Sequence, residues 1–143
     1  MAQDIFDVKL CELDEKIAKL HGRIHSAENL GHETLRQEIQ KLRRECAEMA
    51  DGLRTRLEFS KNNDLIPLSR AYVEIEHAIQ RMEEECQEEP ADGKGEGYLT
   101  ERKILFAEYA LDFAIQAADR ALLLSMEAID AQMTQQEKER SLQ

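Results

Sequence analysis

The stretch from Ile104 to Met133 reads ILFAEYALDFAIQAADRALLLSMEAIDAQM. One row of helical spacing holds Leu111, Ile115, Ala118, Leu122 and Ile129. A second holds Phe106, Ala110, Phe113, Ala117, Ala121, Leu124 and Ala128, and both follow the 3.6-residue period of a helix. Only Glu108, Asp112, Gln116, Asp119, Glu127 and Asp130 leave a polar stripe. Such a helix is predicted to lie against neighbours over most of its circumference. Its alanines favour helix intrinsically and let a partner backbone come close. It is therefore expected to be the central helix of the fold.

Composition sets the class around it. At 143 residues the chain suits one domain, long enough to form a core without metal or disulfide staples. An apolar share of 42% beside 34% charged residues matches a charge-coated helical protein. There is no Trp, and only six Gly and two Pro; so few breakers and β-formers argue against a sheet. A formal net charge of −11 repels phosphate backbones and anionic lipid, so neither nucleic acid nor membrane is an expected partner. Met1 to Leu10 is acidic and lacks the basic-then-apolar pattern of a secretory signal. No run of eighteen apolar residues occurs. Cys11, Cys46 and Cys86 are odd in number and lack Cys-x-x-Cys spacing. A reduced, cytoplasmic location is the expectation.

Read from the amino terminus, a first helix is predicted from Asp4, a capping residue with Asp7 three positions on. Phe6, Leu10, Leu13, Ile17, Leu20, Ile24 and Ala27 alternate spacings of four and three, the seam of a coiled coil. Leu35, Ile39, Leu42, Cys46, Met49 and Leu53 form a second such seam. Ala27 and Leu35 are eight apart rather than seven, and Gly31 stands at the slip. A turn at Asn29 to His32 is the simplest repair.

The seam edges agree with that turn. Lys9, Lys16 and Arg23 line one edge of the first helix, and Asp14, His21 and Glu28 the other. Antiparallel packing on the second helix sets Glu28 against Arg36, Arg23 against Glu38 and Lys16 against Glu45. Each exposed pair contributes only ~0.5 kcal/mol, so the pattern selects register more than it stabilises. A parallel self-pairing also matches Lys9 with Asp14 and Arg23 with Glu28. A continuous helix in a parallel dimer is thus the rival arrangement.

Beyond Asp51-Gly52, where a mid-helix glycine is expected to loosen the second helix, Ser60 to Asp64 reads as a loop. Pro67 opens a third helix with the row Leu68, Tyr72, Ile75, Ile79, Met82 and Cys86, widened by Ala71 and Ala78. Seven acids against one Lys between Glu83 and Glu96, with Pro90 and three glycines from Gly93 to Gly97, predict a mobile acidic connector at about 89–98. Thr100 and Glu101 suit the start of the central helix. Its tail after Gln132 is polar and expected to fray.

Four patterns bear on chemistry. His21, His25, Glu28 and His32 share one face if the helix is continuous, the spacing a zinc or nickel site uses once a further ligand arrives. The ordinary reading is a solvated edge. Glu74 and His77 form one Glu-x-x-His unit, where di-iron bundles need two copies and further glutamates. The stripe Glu108, Asp112 and Asp119 and the run Glu83 to Glu89 read as solvated acidic surface rather than cation or basic-partner sites. No strained glycine turn carries a nucleophile, and the glycines of Asp92 to Gly97 lack the Lys-Ser or Lys-Thr of a phosphate loop.

The sequence therefore predicts one all-α domain, residues 1–143, built as an antiparallel four-helix bundle with a coiled-coil-like hairpin. Helices are expected at roughly 4–29, 33–60, 67–88 and 100–137. The fourth, ~57 Å long, outreaches the third at ~33 Å. Excess length with apolar sides calls for a partner. The functional expectation is a non-enzymatic, self-associating scaffold or adaptor, a homodimer meeting through Leu111, Ala114, Ala118, Ala121, Leu122 and Ile129. No cofactor is expected. The alternative is a bundle that binds metal or a small ligand at the histidine edge or in a core cavity.

Overall fold

The computed structural model describes residues 2–60, 62–88 and 95–143. Every regular element among them is helical: α1 at Ala2–Ala27, α2 at His32–Glu58, α3 at Ile66–Gln87 and α4 at Glu96–Ser141, with a 3-10 turn at Asn63–Leu65 ahead of α3. The protein is all-α. None of its helices is long and apolar enough to cross a membrane among the described residues.

The first break falls at the heptad slip. α1 stops at Ala27, and Gly31 takes an extended backbone, φ −63° and ψ 153°, just before α2. Its carbonyl accepts the Leu35 amide at 2.9 Å, the first hydrogen bond of the new helix. That φ is open to any residue, so the extended ψ, not a left-handed conformation, separates the helices. Residues 4–60 are thus two helices and not one continuous helix.

Asp51-Gly52 does not break α2, which runs unbroken to Glu58. Arg54 donates to Asp51 at 2.9 Å one turn back, and a Cβ placed on Gly52 would meet nothing within 4 Å. Gly52→Ala is therefore expected to stabilise the protein by ~1 kcal/mol through helix propensity. Thermal denaturation followed by circular dichroism reads this as a higher Tm; an unchanged or lower Tm would mean that the glycine serves a contact.

Asn29–Lys103 forms one compact unit. Within it α2 packs on α3, and the connector is locked by side chains. The Asn62 amide donates to Ser60 Oγ at 3.2 Å, and Asn62 Oδ1 accepts the Asp64 amide at 3.0 Å, capping the 3-10 turn. Pro67 occupies the first turn of α3, where a missing N–H leaves no bond unmade. α3 half-buries Ser69, Tyr72, Val73, Glu76, Met82 and Cys86, so Tyr72, Met82 and Cys86 of the expected row are partly covered whereas Leu68, Ile75 and Ile79 remain exposed. Tyr72, the largest side chain of the row, reaches the α2 backbone: its hydroxyl donates to the Ala50 carbonyl at 3.4 Å.

Residues 89–94, most of the expected connector, lie outside the described residues. α4 starts at Glu96, four residues before the expected cap. The Gly95 carbonyl accepts the Tyr98 and Leu99 amides at 3.1 and 3.4 Å. Thr100 does not cap; its hydroxyl donates back to the Glu96 carbonyl at 3.1 Å, as threonines inside helices do. Arg102, in the second turn, donates to the carbonyls of Glu85 and Glu88 at the end of α3, the latter at 2.9 Å.

The second unit comprises Met1–Glu28 and Ile104–Gln143. α1 begins at Ala2, which puts Asp4 inside the first turn, where its charge meets the positive helix end. α4 stays helical to Ser141, with Lys138 and Arg140 in a last turn that favours cations. Its 46 residues extend ~69 Å. Among the described residues of either unit none is fully buried.

Candidate interaction surface

The surface is built by α4. From Ile104 to Met133 its backbone bonds are internal to the helix, and the hydroxyls of Ser125 and of Thr134 just beyond the stretch turn back to it. Ser125 Oγ donates to the Ala121 carbonyl at 2.8 Å and Thr134 Oγ1 to the Asp130 carbonyl at 2.9 Å. What α4 offers outward from this stretch is therefore mostly hydrocarbon with one acidic stripe. Of the six residues expected at an interface, Leu111, Ala114, Ala118, Ala121 and Leu122 are exposed and Ile129 is half-buried. Leu111 shows 68% of its surface. Tyr109, Phe113, Ile115, Leu123, Leu124 and Met126 are exposed beside them. These fall outside the expected contact residues, although the two apolar rows already hold Phe113, Ile115 and Leu124. Exposed apolar side chains in unbroken rows, rather than scattered singly, are the mark of an interaction surface.

The histidine edge is divided between two helices. His21 and His25 lie on α1, Glu28 is in the turn beyond it and His32 opens α2 after the extended Gly31. The single-face spacing requires a continuous helix and is lost at the break. Glu74 and His77 are both exposed on α3. Among the described residues no group of three or more His, Cys, Asp and Glu side chains is placed to hold a metal ion. Zinc or a chelator is expected to leave Tm unchanged; a fall of several degrees on chelation, reversed by zinc, would restore the histidine edge as a site.

An open cleft of about 130 Å³ between α2 and α3 is lined by Ala50, Asp51, Arg54, Tyr72, Glu76 and His77, among others. In it Arg54 pairs with Asp51, and the Tyr72 hydroxyl donates to the Ala50 carbonyl. The Tyr72 hydroxyl has its pKa raised, first by burial and then by the nearby carboxylates Glu76 and Asp51, with Arg54 opposing them. A phenol that holds its proton more tightly when folded contributes stability present below the unfolded pKa of about 10 and lost as pH climbs through the raised folded value. Unfolding should thus grow easier above pH ~10, and less so in Tyr72→Phe. Equal alkaline sensitivity in both proteins would assign the effect elsewhere.

No protein-family model, curated relative or solved structure matches this chain.

Proposed function

We propose that this chain is a non-enzymatic helical scaffold or adaptor that mediates protein–protein interaction and self-associates, as a two-fold homodimer, through α4. The observation that carries the reading is the set of apolar rows left exposed along α4. Covering one such Leu, Ile or Phe is worth roughly 1.5–3 kcal/mol. Several together offset an association cost of about 4–15 kcal/mol. Two-fold pairing is the commonest closed arrangement for a self-complementary patch. The net charge of −11 turns such a protein away from nucleic acid and anionic lipid. Three free thiols, two of them exposed, fit a reducing cytoplasm.

Light scattering over a range of protein concentrations tests the proposal. The expected mass is a multiple of 16.5 kDa, twice that value for the dimer. A single-chain mass at every concentration would overturn it.

A further inference from the structure

α1 carries a second apolar seam that α4 does not explain. Leu10, Ile17 and Ile24 recur at sevens, with Leu13 and Leu20 between them. Leu10, Ile17 and Ile24 are 52%, 53% and 69% exposed. α2, whose seam is the other one of this kind in the sequence, packs against α3 in its own unit. We propose that α1 pairs in parallel and in register with α1 of a second copy of this chain, forming a two-stranded coiled coil. The proposal rests on the self-association reading and names a second contact within the same assembly.

Residue choice and charge both select that occupant. In heptad terms Leu10, Ile17 and Ile24 take the first core position and Leu13 and Leu20 the second. Isoleucine at the first with leucine at the second favours parallel two-stranded pairing. The edge beside the first core position is basic, Lys9 and Lys16, and the opposite edge holds Asp14 and His21. In a parallel pair each first-edge residue meets the opposite-edge residue five positions on in the other copy. Lys9 then faces Asp14 twice per dimer, and Lys16 faces a histidine rather than a cation of full charge. Antiparallel self-pairing instead sets edge against like edge, Lys9 and Lys16 among lysines. Among the described residues Lys9 pairs with Glu12 on its own helix, at 3.3 Å and exposed to solvent, a contact easily exchanged. The seam spans three heptads, which is short for independent pairing. Tethering through α4 supplies the effective concentration that makes it sufficient.

The test uses the full chain with Cys11, Cys46 and Cys86 changed to Ser, and one cysteine returned at a time by Leu10→Cys, Ile24→Cys or, on the outer face, Gly22→Cys. In a thiol–disulfide buffer, Leu10→Cys and Ile24→Cys should each form an interchain disulfide and Gly22→Cys should not, since only parallel in-register pairing brings both ends of α1 onto themselves. A second reading does not depend on new cysteines. Lys9→Glu should weaken dimerisation by about threefold to tenfold, and mixing it with an Asp14→Lys chain should restore part of the loss. A dimer by light scattering without crosslinks at positions 10 and 24 would overturn this inference and leave α4 self-association standing. A crosslink within one chain between Ile24→Cys and Leu35→Cys, dominant over any between chains, would also overturn it, by giving the seam to α2. A monomer at all concentrations would remove both readings.

Discussion

Ala118→Glu is expected to convert the assembled protein to a single chain of 16.5 kDa without loss of helix. Ala118 is exposed on α4 in the isolated chain, so in the monomer a glutamate there costs only the few tenths of a kcal/mol that separate two good helix formers. At a contact covered by a second copy, the carboxylate must either be desolvated or take up a proton. A pKa displacement of about three units corresponds to ~4 kcal/mol, a factor of several hundred to a thousand in the association constant. Light scattering gives the mass and circular dichroism the helix content. Asp112→Ala, in the polar stripe of the same helix, is the control and should leave the assembled mass unchanged. If Ala118→Glu still assembles as the parent does, α4 does not form the contact through this face. If it loses helix while monomeric, Ala118 is needed for the fold of the chain itself.

The same contrast between exposed and covered sites shows where the sequence is a sufficient guide. Local signals are legible. Eight residues between Ala27 and Leu35, with Gly31 among them, locate the break between α1 and α2, because a heptad seam cannot continue across an extra residue without rotating its apolar face. Pro67 locates the start of α3 to within one residue. Signals set by longer reach are not legible. Periodicity places Leu68, Tyr72, Ile75, Ile79, Met82 and Cys86 on one face of α3, of which Tyr72, Met82 and Cys86 are partly covered and Leu68, Ile75 and Ile79 are not; the hydrogen bond from Tyr72 to the Ala50 carbonyl is in no spacing rule. Thr100 has the composition of a cap, yet α4 already begins at Glu96, where the Gly95 carbonyl accepts the Tyr98 and Leu99 amides, and the Thr100 hydroxyl is left to its own backbone. The histidine edge is divided for a reason already visible in the sequence: the break at Gly31 that separates the two seams also places His25 and His32 on different helices. The apolar rows of α4 are legible as rows. Periodicity does not say which of their sides a second copy would cover in the proposed assembly.

Arg102→Ala is expected to destabilise the unit formed by residues 29–103 by about 2 kcal/mol, the scale of charge-assisted hydrogen bonds to partly covered carbonyls. The end of α3 is electrostatically unfavourable taken alone. Glu83, Glu84 and Glu85 lie in its last turns, Glu88 follows, and no basic residue accompanies them in the last turn. Acids at that end oppose the helix dipole, which favours cations there. The carbonyls of Glu85 and Glu88 also lie beyond the reach of the helix's own amides. Arg102, from the second turn of α4, answers both defects at once: its guanidinium donates to both carbonyls and brings a positive charge to the acidic end. Both bonds come from one guanidinium nitrogen, Nη2; a lysine supplies the charge on a shorter side chain, so Arg102→Lys should recover about half of the loss. Urea denaturation of the three proteins measures the ranking, and amide exchange at Glu84 to Glu88 localises it. The interaction is electrostatic and only partly shielded from solvent, so the gap between the parent protein and Arg102→Ala should narrow in 1 M salt, where screening acts within about 3 Å. A ranking in which the lysine variant matches the alanine variant would assign the stabilisation to the reach of the guanidinium and not to its charge; a gap smaller than a few tenths of a kcal/mol would show that Arg102 does not hold α4 to the end of α3.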